Sequence, residues 1–263
     1  MKIFDTHAHY DDRAFDEDRE QVIAGLPGEG VAAVTDIGCD MESSERVDAL
    51  TKKYDFFYGT IGVIPGECGD MKDADIDRLR EIAQANKKIV AIGEIGLDYH
   101  WEDNPDKDIQ KKWFRAQLDL AKELDLPVVI HSRDAAEDTL EILVEYFGKD
   151  TPDECPGVMH CYSYSKETAE ILLKTGLYFG IGGVVTYKNA KKLARAVEAI
   201  PMDRIVLETD CPYLAPDPYR GKRNYSGYLT RVVERIAELK GITPEEAEQA
   251  AWENACRFYG IPD

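Results

Sequence analysis

The sequence predicts one (β/α)8 domain, a TIM barrel with an additional C-terminal helix, spanning residues 1–263. Three observations predict it. Short apolar, β-branched runs recur roughly every 25 to 40 residues and number eight. Segments of helical composition alternate with them, the pattern of repeated βα units. The length of 263 residues matches the ~250 typical of such a barrel.

The strand runs are 2–7, 30–38, 56–63, 89–94, 127–131, 157–160, 177–182 and 205–210. They read as mostly continuous apolar stretches instead of alternating ones, as expected of parallel strands buried on both faces. Between them, helices are predicted over 16–25, 41–54, 73–87, 107–124, 135–147, 166–175, 190–200 and 229–240. In the fourth of these, Phe114, Leu118, Ala121 and Leu124 recur at three- and four-residue steps, leaving Lys112, Arg115 and Asp119 for solvent. Thr243 followed by Pro244, Glu245 and Glu246 opens a ninth helix, with threonine as N-cap and proline at the first helical position. That helix is expected to seal the outside of the barrel. The rival architecture is an open doubly wound sheet. A dinucleotide-binding version of it needs a glycine-rich G-x-G-x-x-G turn near the N-terminus, which the sequence lacks. No linker or low-complexity tract marks a domain boundary.

Composition narrows the function classes. A chain 44% hydrophobic and 32% charged is globular and not disordered. Residues 1–7 leave no room for the apolar core of a signal peptide, and no run approaches the ~18 apolar residues of a membrane span. A cytoplasmic protein without membrane association is the expectation. The six cysteines, Cys39, Cys68, Cys155, Cys161, Cys211 and Cys256, contain no C-x-x-C pair and are expected to be free thiols. A formal net charge of −19 argues against broad adhesion to nucleic acid, so any polyanionic substrate must meet locally placed positive charge. The densest basic cluster is Arg220-Gly221-Lys222-Arg223.

The chemistry is expected at the strand ends. His7 and His9 stand two residues apart on the first strand, so both imidazoles face the same way and can share one metal ion. Glu94, His131, His160 and Asp210 each fall where an apolar run stops. In a TIM barrel such C-terminal strand ends converge around one mouth. Four of the chain's five histidines occupy these positions, His100 being the exception. Burying imidazoles and carboxylates together is costly unless they are paired or bound to metal. Six ligands exceed the needs of one tetrahedral ion and suit two divalent ions ~3.5–4 Å apart. His7, His9, Glu94 and Asp210 are assigned to one ion, and Glu94, His131 and His160 to the other, with Glu94 as the bridge. The set admits Zn, Mn, Fe, Co or Ni and, less comfortably, Mg.

At these residues the sequence resembles the TatD family of metal-dependent deoxyribonucleases, a branch of the amidohydrolase superfamily. The resemblance is carried in order by Phe4-Asp5-Thr6-His7-Ala8-His9, Gly93-Glu94-Ile95-Gly96-Leu97-Asp98-Tyr99, Ile130-His131-Ser132-Arg133-Asp134-Ala135, His160-Cys161-Tyr162-Ser163, Leu207-Glu208-Thr209-Asp210 and Arg220-Gly221-Lys222-Arg223-Asn224. It implies a TIM barrel, a divalent-metal centre at the six positions, and hydrolysis of DNA phosphodiester bonds, often exonucleolytic. Three places depart from the family pattern. The loop after the third strand reads Gly62-Val63-Ile64-Pro65-Gly66-Glu67-Cys68 where histidines are common, Tyr164 replaces a glycine, and Tyr225-Ser226-Gly227 stands where an acidic residue and proline are often found.

For such hydrolysis Asp210 is the candidate general base, with Glu94 as the second catalytic carboxylate. Arg133, Arg220, Lys222 and Arg223 are the candidate phosphate-binding residues. Glu208, two residues before Asp210, is either an acceptor orienting a ligand imidazole or a structural carboxylate. Cys161 and Cys211 adjoin ligands but are read as small buried hydrophobes. Trp101, in the loop above Glu94, is read as a base-stacking ring or a loop anchor. DNA is the expected substrate, and no obligate protein partner is implied. Two other readings stand beside this one. The first is a metallohydrolase of small esters, lactones or amides, and the second is a silent barrel serving as a binding module.

Overall fold

The computed structural model describes residues 2–148 and 156–262. The strands and helices in order are β1 (Ile3–Ala8), α1 (Arg19–Gly25), β2 (Val31–Ile37), α2 (Met41–Lys53), β3 (Phe57–Ile61), α3 (Asp73–Ala85), β4 (Ile89–Asp98), α4 (Lys107–Leu124), β5 (Val128–Arg133), α5 (Ala136–Phe147), β6 (Gly157–Met159), α6 (Lys166–Leu172), β7 (Tyr178–Ile181), α7 (Lys191–Ala199), β8 (Ile205–Leu207), α8 (Leu229–Lys240) and α9 (Pro244–Tyr259). The strand order in the sheet is β1 through β8 in sequence. With a helix after each strand, this is the (β/α)8 class that the sequence predicts. The chain divides into two compact units. One comprises residues 1–36, 161–173 and 178–263, and the other residues 37–160 and 174–177.

In the first unit β1 pairs with β2 in parallel, Ile3 opposite Val31 and Asp5 opposite Val34, and β7 pairs with β8, Gly180 opposite Val206. Every residue of β1 is buried. Helix α9 forms where the capping pattern places it. The Thr243 hydroxyl accepts from the Glu246 amide at 3.2 Å, and Glu246 Oε2 accepts from the Thr243 amide at 2.8 Å. Its apolar face lies on β1 and β8: Phe4 packs against Trp252 and Tyr259, with ring centroids 5.7 and 5.8 Å apart. The Tyr259 hydroxyl donates to the Thr6 carbonyl at 2.7 Å. In α8 the buried residues Leu229, Val232, Val233, Ile236 and Ala237 form one stripe at helical spacing.

In the second unit β3, β4, β5 and β6 form consecutive parallel pairs. All ten residues of β4 are buried. Helix α4 supplies two glutamines that close the backbone at the ends of β3 and β4. Gln117 accepts from the Val63 amide at 2.8 Å, and Gln110 from the Asp98 amide at 2.9 Å. Its buried stripe is wider than the one read from the sequence, taking in Trp113, Gln117 and Leu120, while Arg115 and Leu124 are half-buried.

Several boundaries differ from the sequence reading. Strand β4 runs on to Asp98 because β5 continues beside it, pairing Ile95 with Ile130 and Asp98 with Arg133. Gly96 permits this: a Cβ there would lie 1.9 Å from the His131 carbonyl oxygen. Strand β8 stops at Leu207, and Asp210 takes the left-handed conformation at φ 57°, which an aspartate tolerates better than most residues. Helix α1 begins at Arg19, after a separate 3-10 turn over Arg13–Phe15 capped by Asp12, and α6 ends at Leu172. Cys39, Cys68, Cys161, Cys211 and Cys256 are free thiols. Cys155 lies outside the described residues. Cys211 is buried as expected, whereas Cys161 is half-buried, because it sits in a turn (φ 44°) where strand alternation does not apply. Among the described residues no helix is long and apolar enough to cross a membrane.

Candidate metal centre

In the first unit, three predicted ligands come together where β1 ends and the chain leaves β8. His7 Nε2 lies 3.2 Å from His9 Nε2, and Asp210 Oδ1 lies 3.3 Å from His9 Nε2 and 3.8 Å from His7 Nε2. The same-face spacing on β1 produces the first contact. Backbone pairing past the end of β8 produces the others: the Asp210 amide donates to the His7 carbonyl at 2.9 Å, and the His9 amide to the Cys211 carbonyl at 2.8 Å.

Behind this group lies a polar network that sequence reasoning missed. Asp5 is fully buried and accepts from the Thr209 hydroxyl at 2.6 Å, the Thr209 amide at 3.0 Å and the Ser226 hydroxyl at 2.7 Å. Burial pushes its carboxyl up to about 7, although Ser226 and Thr209 pull the other way. Asn224 Nδ2 donates to the Thr209 carbonyl at 2.9 Å, and Tyr10 closes the network through Ser226 at 2.8 Å. The signal was present in the i, i+2 series Asp5, His7, His9, which puts Asp5 on the ligand face of β1.

In the second unit, two imidazoles gather around Glu94. His131 Nδ1 lies 2.8 Å from Glu94 Oε1, and His160 Nε2 lies 3.9 Å from the same oxygen. The other ring nitrogen of His131 meets Asp98 Oδ2 at 3.2 Å. Asp98 therefore orients an imidazole, a role the sequence reading did not give it. It is legible only once β4 is known to reach residue 98, since Glu94 and Asp98 then share one strand face. Burial disfavours a charged His131, but Asp98 and Glu94 outweigh it and raise the imidazole to about 10. Burial also works against the Asp98 carboxylate, yet His131 and the His100 amide hold it below its usual range.

The donor chemistry of both groups fits divalent metal. His7, His9, His160, Glu94 and Asp98 are each at least nine-tenths buried. Such a concentration of imidazole and carboxylate away from water is costly without ions or full pairing. Glu208, also buried, accepts from the Cys161 amide at 2.7 Å and lies over Gly180, where a Cβ would come within 1.9 Å of its carboxylate. It thus holds the backbone turn that follows His160.

The candidate phosphate-binding residues are placed unequally. Arg133 is exposed, its guanidinium 5.2 Å from the Trp101 ring. Arg220 lies over the Tyr187 ring at 4.4 Å, and Lys222 is exposed beside Tyr219. Arg223 is engaged within the protein: it makes two hydrogen bonds to Asp18 at 2.8 and 2.6 Å and one to the Ala14 carbonyl at 2.7 Å. The loop after β3 is a 3-10 turn over Pro65–Asp70. Its Cys68 is buried with Val63 and Trp113, and burial pushes the thiol up to about 11.

Imidazoles and carboxylates clustered at the ends of barrel strands are the arrangement expected of a metal-dependent hydrolase, and the relatives of this chain are of that class. The chain belongs to the TatD-related DNase family, whose model matches residues 4–260. It is 45% identical over 259 residues to the uncharacterized metal-dependent hydrolase YabD of Bacillus subtilis, covering 98% of this chain and 99% of that one. It is 34% identical over 264 residues to the 3'-5' ssDNA/RNA exonuclease TatD of Cronobacter sakazakii, covering 98% and 97%. Among solved structures, the TatD homologue YjjV of Escherichia coli superposes with a TM-score of 0.91 at 31% identity, covering 99% of this chain and 98% of that one.

Proposed function

We propose that this hydrolase cleaves phosphodiester bonds of DNA from a strand end, with His7, His9, Glu94, His131, His160 and Asp210 as the ligands of two divalent ions. Residues 1–263 act as a single catalytic domain. The supporting observation is the pair of donor groups, one of His7, His9 and Asp210 within 3.8 Å and one gathered at Glu94 Oε1. Each lies toward the C-terminal ends of its strands, the end at which (β/α)8 enzymes carry their chemistry.

When bound, the ions would lower the pKa of a water toward neutrality and neutralise charge developing on the phosphoryl oxygens. Glu94, with two carboxylate oxygens, would hold an ion together with His131 and His160. Asp210, whose side chain keeps 18% exposure, takes the proton of the attacking water on its carboxylate. Asp98 and Glu94 fix the ring of His131. Arg133, Arg220 and Lys222 supply the positive charge for phosphate that a net charge of −19 does not. Arg223, its charge paired with Asp18, shapes that loop. The free thiols fit a reducing, cytoplasmic setting.

A second reading, hydrolysis of a small ester or lactone at the same centre, is favoured by the Pro65–Asp70 turn, which presents no imidazole. Oligodeoxynucleotides labelled at either end, incubated with Mg, Mn or Zn and with chelator, separate the two. Stepwise shortening from one end, stopped by chelation, is the expected result. Intact DNA alongside cleavage of small esters would replace it with the second reading.

A further inference from the structure

We propose that Trp101 and Arg133 form a stacking platform for an unpaired nucleobase beside the Glu94, His131 and Asp98 group. The inference rests on the nucleic-acid reading above. Trp101 is 54% exposed, whereas Trp113 and Trp252 are 4% and 6% exposed, so one indole of the three is presented to solvent. An exposed indole offers a flat π surface on which a nucleobase can stack.

The ring is held, not loose. His100 meets it edge-on at 4.7 Å and 86°, and His100 is itself fixed by Asp134 at 2.8 Å. The Asn104 amide donates to the Trp101 carbonyl at 3.3 Å, and Asn104 Nδ2 donates to the Asp98 carbonyl at 3.1 Å. The Pro65–Asp70 turn buttresses the same loop. A Cβ on Gly66 would lie 3.2 Å from Asn104 Oδ1, and one on Gly69 would lie 3.3 Å from Pro105.

Arg133 lies over the indole, and the ring keeps 54% exposure beside it, enough surface for a base to stack on. Its backbone pairs with Asp98, which contacts His131, so the platform is adjacent to the donor group. Glu102 and Asp103 follow Trp101 and repel a phosphate track along the loop. The indole therefore takes the base, and the Arg133 guanidinium takes the neighbouring phosphate. Aromatic stacking is tolerant of sequence and requires a base outside a duplex. It also adds affinity with little salt dependence, which suits a chain of strong negative charge.

The test uses the metal-loaded protein and a single-stranded phosphorothioate oligothymidylate that resists hydrolysis. Saturable quenching of tryptophan fluorescence is expected, with little quenching by a blunt duplex of the same length and none of that signal in Trp101→Ala. On a cleavable oligonucleotide, Trp101→Ala should raise KM about tenfold, equivalent to ~1.4 kcal/mol, with Trp101→Phe recovering most of it. Arg133→Ala should raise KM and flatten its salt dependence. Hydrolysis of DNA with an unaltered KM in Trp101→Ala, or no quenching, overturns the platform and leaves the nuclease reading intact. Absence of any DNA hydrolysis by the unmodified protein overturns the nuclease reading itself.

Discussion

Thr209 donates its hydroxyl to Asp5 at 2.6 Å, and the two residues lie 204 positions apart in the chain. The bond joins β1 to the segment leaving β8, so His7 and Asp210, two residues beyond Asp5 and one beyond Thr209, are set against each other through it. Thr209→Val keeps the shape but removes the donor to a buried carboxylate. The expected cost is ~1–3 kcal/mol of stability, with metal affinity weakened by roughly 10- to 100-fold as for other supporting groups. Calorimetry and metal titration of the variant check both. Ser226→Ala, which removes another donor to Asp5, should act in the same direction.

Metal uptake should depend on pH through His131. Its folded-state pKa is raised to about 10 by Asp98 and Glu94 against the effect of burial, so the metal-free protein carries this proton at neutral pH. A metal ion needs the imidazole neutral and must displace the proton, so affinity rises with pH through the neutral range, by about tenfold per unit for one proton. Isothermal titration in buffers of different ionisation enthalpy measures the proton release. Asp98→Asn should lower the pKa of His131 and reduce the number of protons released.

How much of this was legible beforehand differs from residue to residue. His7 and His9 announce themselves because strand spacing puts both on one face, and the alternation of apolar runs with helical segments gives the eight βα units. The end of β4 was hidden because Gly96, Leu97 and Asp98 carry no local strand signal. They stay in the sheet only because β5 extends beside them. Asp5 and Ser226 were invisible as a pair, being brought together from opposite ends of the chain. Arg223 looked equivalent to Arg220 and Lys222 in sequence, and only its bonds to Asp18 separate them.

That difference is testable. Arg220→Ala and Lys222→Ala should raise KM for DNA and weaken its salt dependence, with little change in melting temperature. Arg223→Ala removes the bonds to Asp18 and the Ala14 carbonyl, and should lower the melting temperature as well. Thermal melts and KM values at two salt concentrations distinguish them.

Helix α9 should be separable from catalysis. Thr243→Ala deletes the N-cap acceptor and should cost ~1 kcal/mol, a fall in melting temperature of about 2–4 °C for a domain of this size. Turnover at 25 °C should be unchanged, because the cap is remote in sequence and contact from the donor groups.

The most direct test is the metal content of the purified protein, measured by elemental analysis together with hydrolysis of single-stranded DNA. Two divalent ions per chain are expected, falling toward one when His131 and His160 are both replaced by alanine. Asp210→Asn should lower turnover at least about 100-fold while the protein remains folded. DNA hydrolysis that persists in protein shown to contain no divalent metal would contradict the assignment of these six side chains to a catalytic metal centre.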